Sequence, residues 1–125
     1  MWTMVNKLIA RMLIEHFKEW TGKGPRNIRV YTVDNVLLAD IIGVLTPLEQ
    51  NLLRCGEENK KLIIDVRNQL IQKDLAEFAR NLGKIIGKMD LAVKSYTFDF
   101  DFENDRQILV YILNHPIKLV IEAIG

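Results

Sequence analysis

The stretch Thr21-Gly22-Lys23-Gly24-Pro25, followed by a hairpin-like run and then by Leu45-Thr46-Pro47-Leu48-Glu49, constrains this chain more than any other part of it. It sets where one helix stops, where two strands lie and where the next helix starts. Gly22 stands where a C-terminal cap is expected, and Pro25 blocks continuation because it has no N–H to donate. Upstream, Val5, Leu8, Ile9, Met12, Leu13, His16, Phe17 and Trp20 recur at steps of three and four, which predicts an amphipathic helix over about 3–20. Downstream, 28–33 is β-rich and 36–44 is mostly apolar, as a strand buried on both faces could be, with Asp34-Asn35 between them suited to the positive φ of a tight turn. Thr46 can cap the following helix, Pro47 fits its first position, and Glu49 can close a capping box.

Gly56 is expected to end that short helix, and a longer one follows over about 57–82, with Leu62, Ile63, Val66, Leu70, Ile71, Leu75, Phe78, Ala79 and Leu82 as its apolar stripe. Gly83 and Gly87 are expected to loosen the chain after it. Residues 92–102 then alternate: Tyr96, Phe98, Phe100 and Phe102 point one way, Ser95, Thr97, Asp99 and Asp101 the other, as in a half-buried strand. Residues 103–106 read as a turn, 107–113 as the returning strand, and His115-Pro116 as its end; 117–124 is a short apolar tail, either helix or strand. The order α-β-β-α-α-β-β plus tail lacks the βαβ alternation of a doubly wound sheet. It predicts an α+β domain over 1–125, with an antiparallel or mixed four-stranded sheet and helices on one face. The order leaves open whether the two hairpins pair within or between subunits.

A length of 125 residues suits a single domain with a real core. The net charge of +1 gives no global field toward nucleic acid or an anionic membrane. Cys55 stands alone, which rules out an internal disulfide and gives no metal-site spacing. No early apolar run resembles a secretory signal, since Asn6, Lys7 and Arg11 interrupt it. The longest apolar run, 108–113, falls far short of the roughly 18–20 residues that span a bilayer. The expected location is cytoplasmic, with no direct membrane span.

Few residues invite chemistry. Ser95, the only serine, lies mid-strand with no adjacent histidine. Cys55 sits at the carboxyl end of a helix, where the dipole disfavours a thiolate, so a partly buried structural thiol is the expectation. His16 reads as a core-edge or interface histidine; His115 precedes a proline and is not in ligand spacing with it. The best metal candidate is the acidic strand and turn, with Asp99 and Asp101 on one face and Glu103 and Asp105 near the turn, an oxygen cluster of the sort Mg²⁺ or Ca²⁺ takes. The ordinary reading of that face is a solvated, aggregation-resistant edge. The Gly22-Lys23-Gly24-Pro25-Arg26 loop could cradle an anion or meet a partner, although it lacks the ending of a P-loop and structural capping explains it as well. Phe98, Phe100 and Phe102 could mimic a stacking platform, but the acidic residues alternating with them would repel phosphates, so nucleic acid is not an expected partner.

The run through Gly22-Lys23-Gly24-Pro25, Asp34-Asn35-Val36-Leu37, Gly43-Val44-Leu45-Thr46-Pro47-Leu48-Glu49 and the long helix resembles the MpsC-type domain, a small prokaryotic family. Its members often carry a glycine-x-glycine-proline loop and a later leucine-threonine-proline-x-glutamate helix start. The resemblance covers about 3–113 and leaves 114–125 unmatched. It implies a soluble accessory domain linked to a sodium-translocating, membrane-potential-generating system, and it carries over no catalytic residue.

These readings converge on a non-catalytic interaction or regulatory module. It is expected to need no cofactor and to form a homo-oligomer, in the first instance a dimer, with a membrane-associated protein as a further partner. Trp2, Trp20, Leu119, Val120 and Ile121 are the expected intersubunit residues, because the apolar material is generous for one small core. The alternative is a small-molecule or ion-binding domain, taking an anion near Lys23 and Arg26 or a divalent cation at Asp99 and Asp101.

Overall fold

The computed structural model describes residues 4–117. The elements follow as α1 (Met4–Thr21), β1 (Asn27–Val33), β2 (Val36–Ile42), α2 (Pro47–Cys55), α3 (Asn59–Ile86), β3 (Val93–Asp101) and β4 (Arg106–Leu113). The four strands form one antiparallel sheet in the order β1-β2-β4-β3. The two hairpins therefore join within one chain, through β2 and β4, and the fold is α+β with its helices on one face. Of the expected intersubunit residues, Trp2, Leu119, Val120 and Ile121 lie outside the described residues, as does most of the tail.

Strand register sorts the side chains into rows. On the helix-covered face, Val30, Ala39, Leu109 and Phe98 lie side by side, as do Ile28, Ile41, Gln107 and Phe100. The two central strands contribute Leu37, Ala39, Ile41, Leu109, Tyr111 and Leu113, all but sealed from water. Tyr111 stacks on Phe78 of α3 with ring centroids 4.1 Å apart. The β3 aromatics point inward as their alternation predicts, and they pack at the edge of this core.

Both long helices bury a stripe that differs from the expected one. On α1 the buried set is Val5, Asn6, Ile9, Ala10, Leu13, His16 and Phe17. Leu8, expected on the apolar face, is exposed, and polar Asn6 takes a buried place by donating to the Val30 carbonyl at 3.1 Å on edge strand β1. On α3, Leu62 and Val66 of the expected stripe face outward and Arg67 is buried instead.

Helix ends follow the caps. Gly22 donates its N–H to Lys18 O at 2.8 Å. Thr46 and Glu49 form the expected capping box ahead of α2. The C-terminal end of α3 corrects the sequence reading: Gly83 does not loosen the chain but lies buried inside the helix, which runs on to Ile86 and stops at Gly87 with φ 72°. Gly83 is there for space, since a Cβ at that position would lie 2.5 Å from the Lys88 carbonyl oxygen.

Candidate functional site

The residues that punctuate the sequence meet at one place. Strand β2 stops at Ile42 because Gly43 turns the chain at φ 74°, and a Cβ there would lie 2.5 Å from Arg26 Cβ. The loop Gly43-Val44-Leu45 then crosses to α2 with six backbone polar groups to satisfy. Asp105, at φ 50° in the β3–β4 turn, takes all three N–H groups: its carbonyl accepts from Gly43 at 2.8 Å, and its carboxylate accepts from Val44 at 3.0 Å and Leu45 at 2.8 Å. Lys23 Nζ donates to the Gly43 and Leu45 carbonyls at 3.4 and 3.2 Å, and Arg67 Nη2 donates to the Val44 carbonyl at 2.6 Å. Each buried main-chain group thus has a partner, as folded chains require.

Glu49 links this junction to α3. Its carboxylate accepts from Thr46 N at 2.8 Å and grips Arg67 in a two-pronged pair, Nη2 to Oε1 at 2.6 Å and Nε to Oε2 at 2.8 Å. Burial pushes the Glu49 pKa up, but the Arg67 and Thr46 hydrogen bonds and the Arg67 charge outweigh it and hold the carboxyl below its ordinary range. Arg67 itself is 1% exposed, with its guanidinium over the rings of Phe17 and Phe100 at 6.0 and 5.8 Å.

Beside this pair lies a cleft of about 280 Å³ where the end of α1 meets α2 and α3. Leu48, Leu52, Leu62, Val66 and Leu70 give it an apolar wall, with Trp20, Glu49 and Arg67 also lining it. Leu48, Leu62 and Val66 are 70, 47 and 45% exposed, a cluster of uncovered apolar side chains. Trp20 Nε1 and Arg67 Nη1 are both shielded from water and have no hydrogen-bond partner among the described residues.

A second buried polar group sits between α1 and α3. His16 Nδ1 lies 2.6 Å from an Asp74 oxygen, and Nε2 lies 3.2 Å from the Asn81 amide. Burial alone would lower the His16 pKa; the hydrogen bond to Asp74 and the charges of Asp74, Glu77 and Glu19 raise it above the ordinary value of 6.5.

The remaining candidate residues fall elsewhere. In the Gly22–Arg26 loop, the Lys23 ammonium is spent on main-chain carbonyls, and Arg26 stands against Gly43. Asp99 and Asp101 are exposed on the face of β3 turned away from the described helices, and among the described residues no group of three or more His, Cys, Asp or Glu side chains is placed to hold a metal ion. Asp101 instead holds the turn through Asn104, and Asp105, expected beside them, is drawn away into the junction. Cys55 is exposed, not partly buried, because α2 buries no residue fully. Trp20 is half-buried against Phe17 and His16.

Sequence reasoning missed Arg67 and the junction role of Asp105. A signal for Arg67 was present: it stands at four-residue steps between Ile63 and Ile71, in the register of the buried face, and a cation there implies a carboxylate partner. Asp105 carried none, since its partners are 60 and 61 residues away.

The family model described as "Na+-translocating membrane potential-generating system (MpsC)" matches residues 3–115 of this chain. The uncharacterized protein YbcI of Bacillus subtilis (strain 168) is 22% identical over 117 residues, which cover 93% of this chain and 90% of YbcI. No solved structure matches. Among the described residues, no helix is long and apolar enough to cross a membrane.

Proposed function

The chain belongs to the MpsC family, and from that premise we propose that it is a non-catalytic interaction module, accessory to a sodium-translocating, membrane-energising system, that works as a homodimer. The observation that carries this reading is the sheet face that no described helix covers. Val36, Leu38 and Ile42 on β2 and Ile108, Val110 and Ile112 on β4 point to that side and are only partly buried. An apolar field over two central strands is unusual for a face left to water, which normally alternates apolar-in and polar-out.

A second copy of the chain is the occupant this face suits. Its middle is electrically neutral, because Asp40 and Arg106 pair at 2.7 and 3.0 Å. Its two edges differ in sign. Register places Arg29 of β1, Asp40, Ile108 and Asp99 of β3 in one row across the sheet. Arg29 and Asp99 have no ion-pair partner among the described residues. Two such sheets packed face to face about a two-fold axis parallel to the strands bring β1 of each copy over β3 of the other. Arg29 then meets Asp99 of the opposite copy at the same level, twice, around an apolar centre. Aligned sheet packing with a polar rim is the ordinary form of such an interface.

The test is the mass in solution by sedimentation velocity, with Leu38→Asp as the breaking variant. A dimeric parent chain and a folded monomeric variant support the proposal; a parent chain that stays monomeric as concentration rises refutes it. The functional half is tested in a deletion strain. Sodium-dependent membrane potential, read with a potential-sensitive dye, should fall and be restored by the parent chain but not by Leu38→Asp.

A further inference from the structure

We infer that the groove between α1 and the start of β1 is a docking surface for an anionic lipid bilayer. The groove, of about 310 Å³, has exposed Lys7, Arg11, Arg26 and Asn27 at its rim and Ile14 and Ile28 deeper within it. None of the three cations has an ion-pair partner among the described residues, and no acidic side chain among them lines the groove. Glu15 is the first acid of the chain, and it lies 3.9 Å from Lys18 rather than against Arg11. The side-chain oxygen of Asn27 accepts from the Ile28 N–H at 2.9 Å, which leaves its NH2 group to donate. Every polar side chain at the groove therefore offers donors, and three of the four are positively charged. Like charges gathered without a counter-ion repel, and anionic oxygens relieve that repulsion.

Exposed apolar side chains decide between a bilayer and a soluble anion. The spacing of Met4, Lys7, Leu8 and Arg11 sets them on one outward face of α1. Met4 is 70% exposed and Leu8 38%. A soluble phosphate or carboxylate would be held by the cations alone and gives Met4 and Leu8 no part. A bilayer surface engages both kinds of side chain. Lipid phosphates meet Lys7, Arg11 and Arg26, and Met4 and Leu8 enter the boundary between headgroups and acyl chains, as on a helix lying in the interface. The net charge of +1 does not oppose this, because salt screens charges more than about 10 Å away. Helix α1 covers the other side of the sheet from Leu38 and Val110, so the contact leaves the open face free for a second copy.

The experiment is co-sedimentation of the parent chain with vesicles of phosphatidylglycerol and phosphatidylcholine in equal parts, against vesicles of phosphatidylcholine alone. The mixed vesicles should carry the chain down, and the neutral ones should leave it in solution. Lys7→Gln combined with Arg11→Gln should weaken binding by about twentyfold, at about fivefold for each cation near the surface. Met4→Ser combined with Leu8→Ser should weaken it by about tenfold. Lys7→Arg combined with Arg11→Lys should bind as the parent chain does. All these positions are exposed, so each variant should keep the melting temperature and the sedimentation mass of the parent chain, and failure here is read separately from failure of the dimer. Equal binding to both kinds of vesicle, or binding to neither, overturns the proposal. So does a folded Gln variant that binds as well as the parent chain. A folded Ser variant that does so assigns the groove to a soluble anion or an acidic partner and overturns the bilayer.

Discussion

The loop Gly43-Val44-Leu45 and the open face of the sheet are opposites. In the loop, every main-chain N–H and carbonyl has a partner, supplied by Asp105, Lys23 and Arg67. On the open face, the side chains of the central strands are apolar and partly uncovered, and the edge charges Arg29 and Asp99 have no ion pair among the described residues. The saturated region draws on Lys23, Gly43, Val44 and Leu45 of the stretches that carry the resemblance, while the open face takes only Val36 from them. Saturation points to a role in building the fold, since nothing is left over for a ligand. Binding capacity is to be sought where groups are left wanting, on the open face.

The largest expected effect tests the saturated side. Arg67→Ala removes the counter-ion of Glu49 and the donor to the Val44 carbonyl, and breaking a buried pair costs about 3–5 kcal/mol. Urea denaturation measures it, and a loss below about 1 kcal/mol would break the distinction drawn here. Asp105→Ala strands the Val44 and Leu45 N–H groups, at about 1–3 kcal/mol for each. Gly43→Ala comes next, at about 1–2 kcal/mol for the left-handed backbone plus the strain of meeting Arg26. Arg29→Asp, on the other region, sets a second carboxylate opposite Asp40 and should cost the monomer no more than about 1 kcal/mol yet shift the chain from dimer to monomer in sedimentation. A variant on the open face that unfolds the chain would blur the comparison, and one that leaves both mass and stability unchanged would remove its second half.

The smallest effect concerns His16. Its folded pKa is raised above 6.5, so the pair with Asp74 contributes fully below that pH and the contribution is lost as pH rises through the folded value. Stability of the parent chain should therefore decline across this window relative to His16→Gln, whose own profile lacks that decline. Parallel profiles for the two chains would show that His16 does not titrate with folding.

Legibility in the sequence followed the range of the interactions. The Thr46–Glu49 capping box, the Gly22 cap and the alternation of Tyr96 to Phe102 are local, and each was readable from spacing. The α+β class follows from them. The far end of α3 was misread because Gly83 answers to the Lys88 carbonyl that folds back against it, a packing demand that overrides the poor helix propensity of glycine. Lys23 was read as a possible anion ligand, and its carbonyl partners are 20 and 22 residues ahead. The open face was half visible: the mostly apolar run over 36–44 suggested burial on both sides, while the opposed charges of Arg29 and Asp99 emerge only when register aligns four strands. The cleft left no mark, because Leu62 and Val66 look like core residues until the helices are placed.

Whether the open sheet face meets a second copy of this chain is read by a charge-exchange series in sedimentation velocity. The parent chain, Arg29→Asp, Asp99→Arg and the double variant are run at one concentration. The expected masses are those of a dimer, two monomers and a dimer again, because the double variant restores opposite charges at both crossings. Four equal masses, or a double variant that stays monomeric, would contradict that interface.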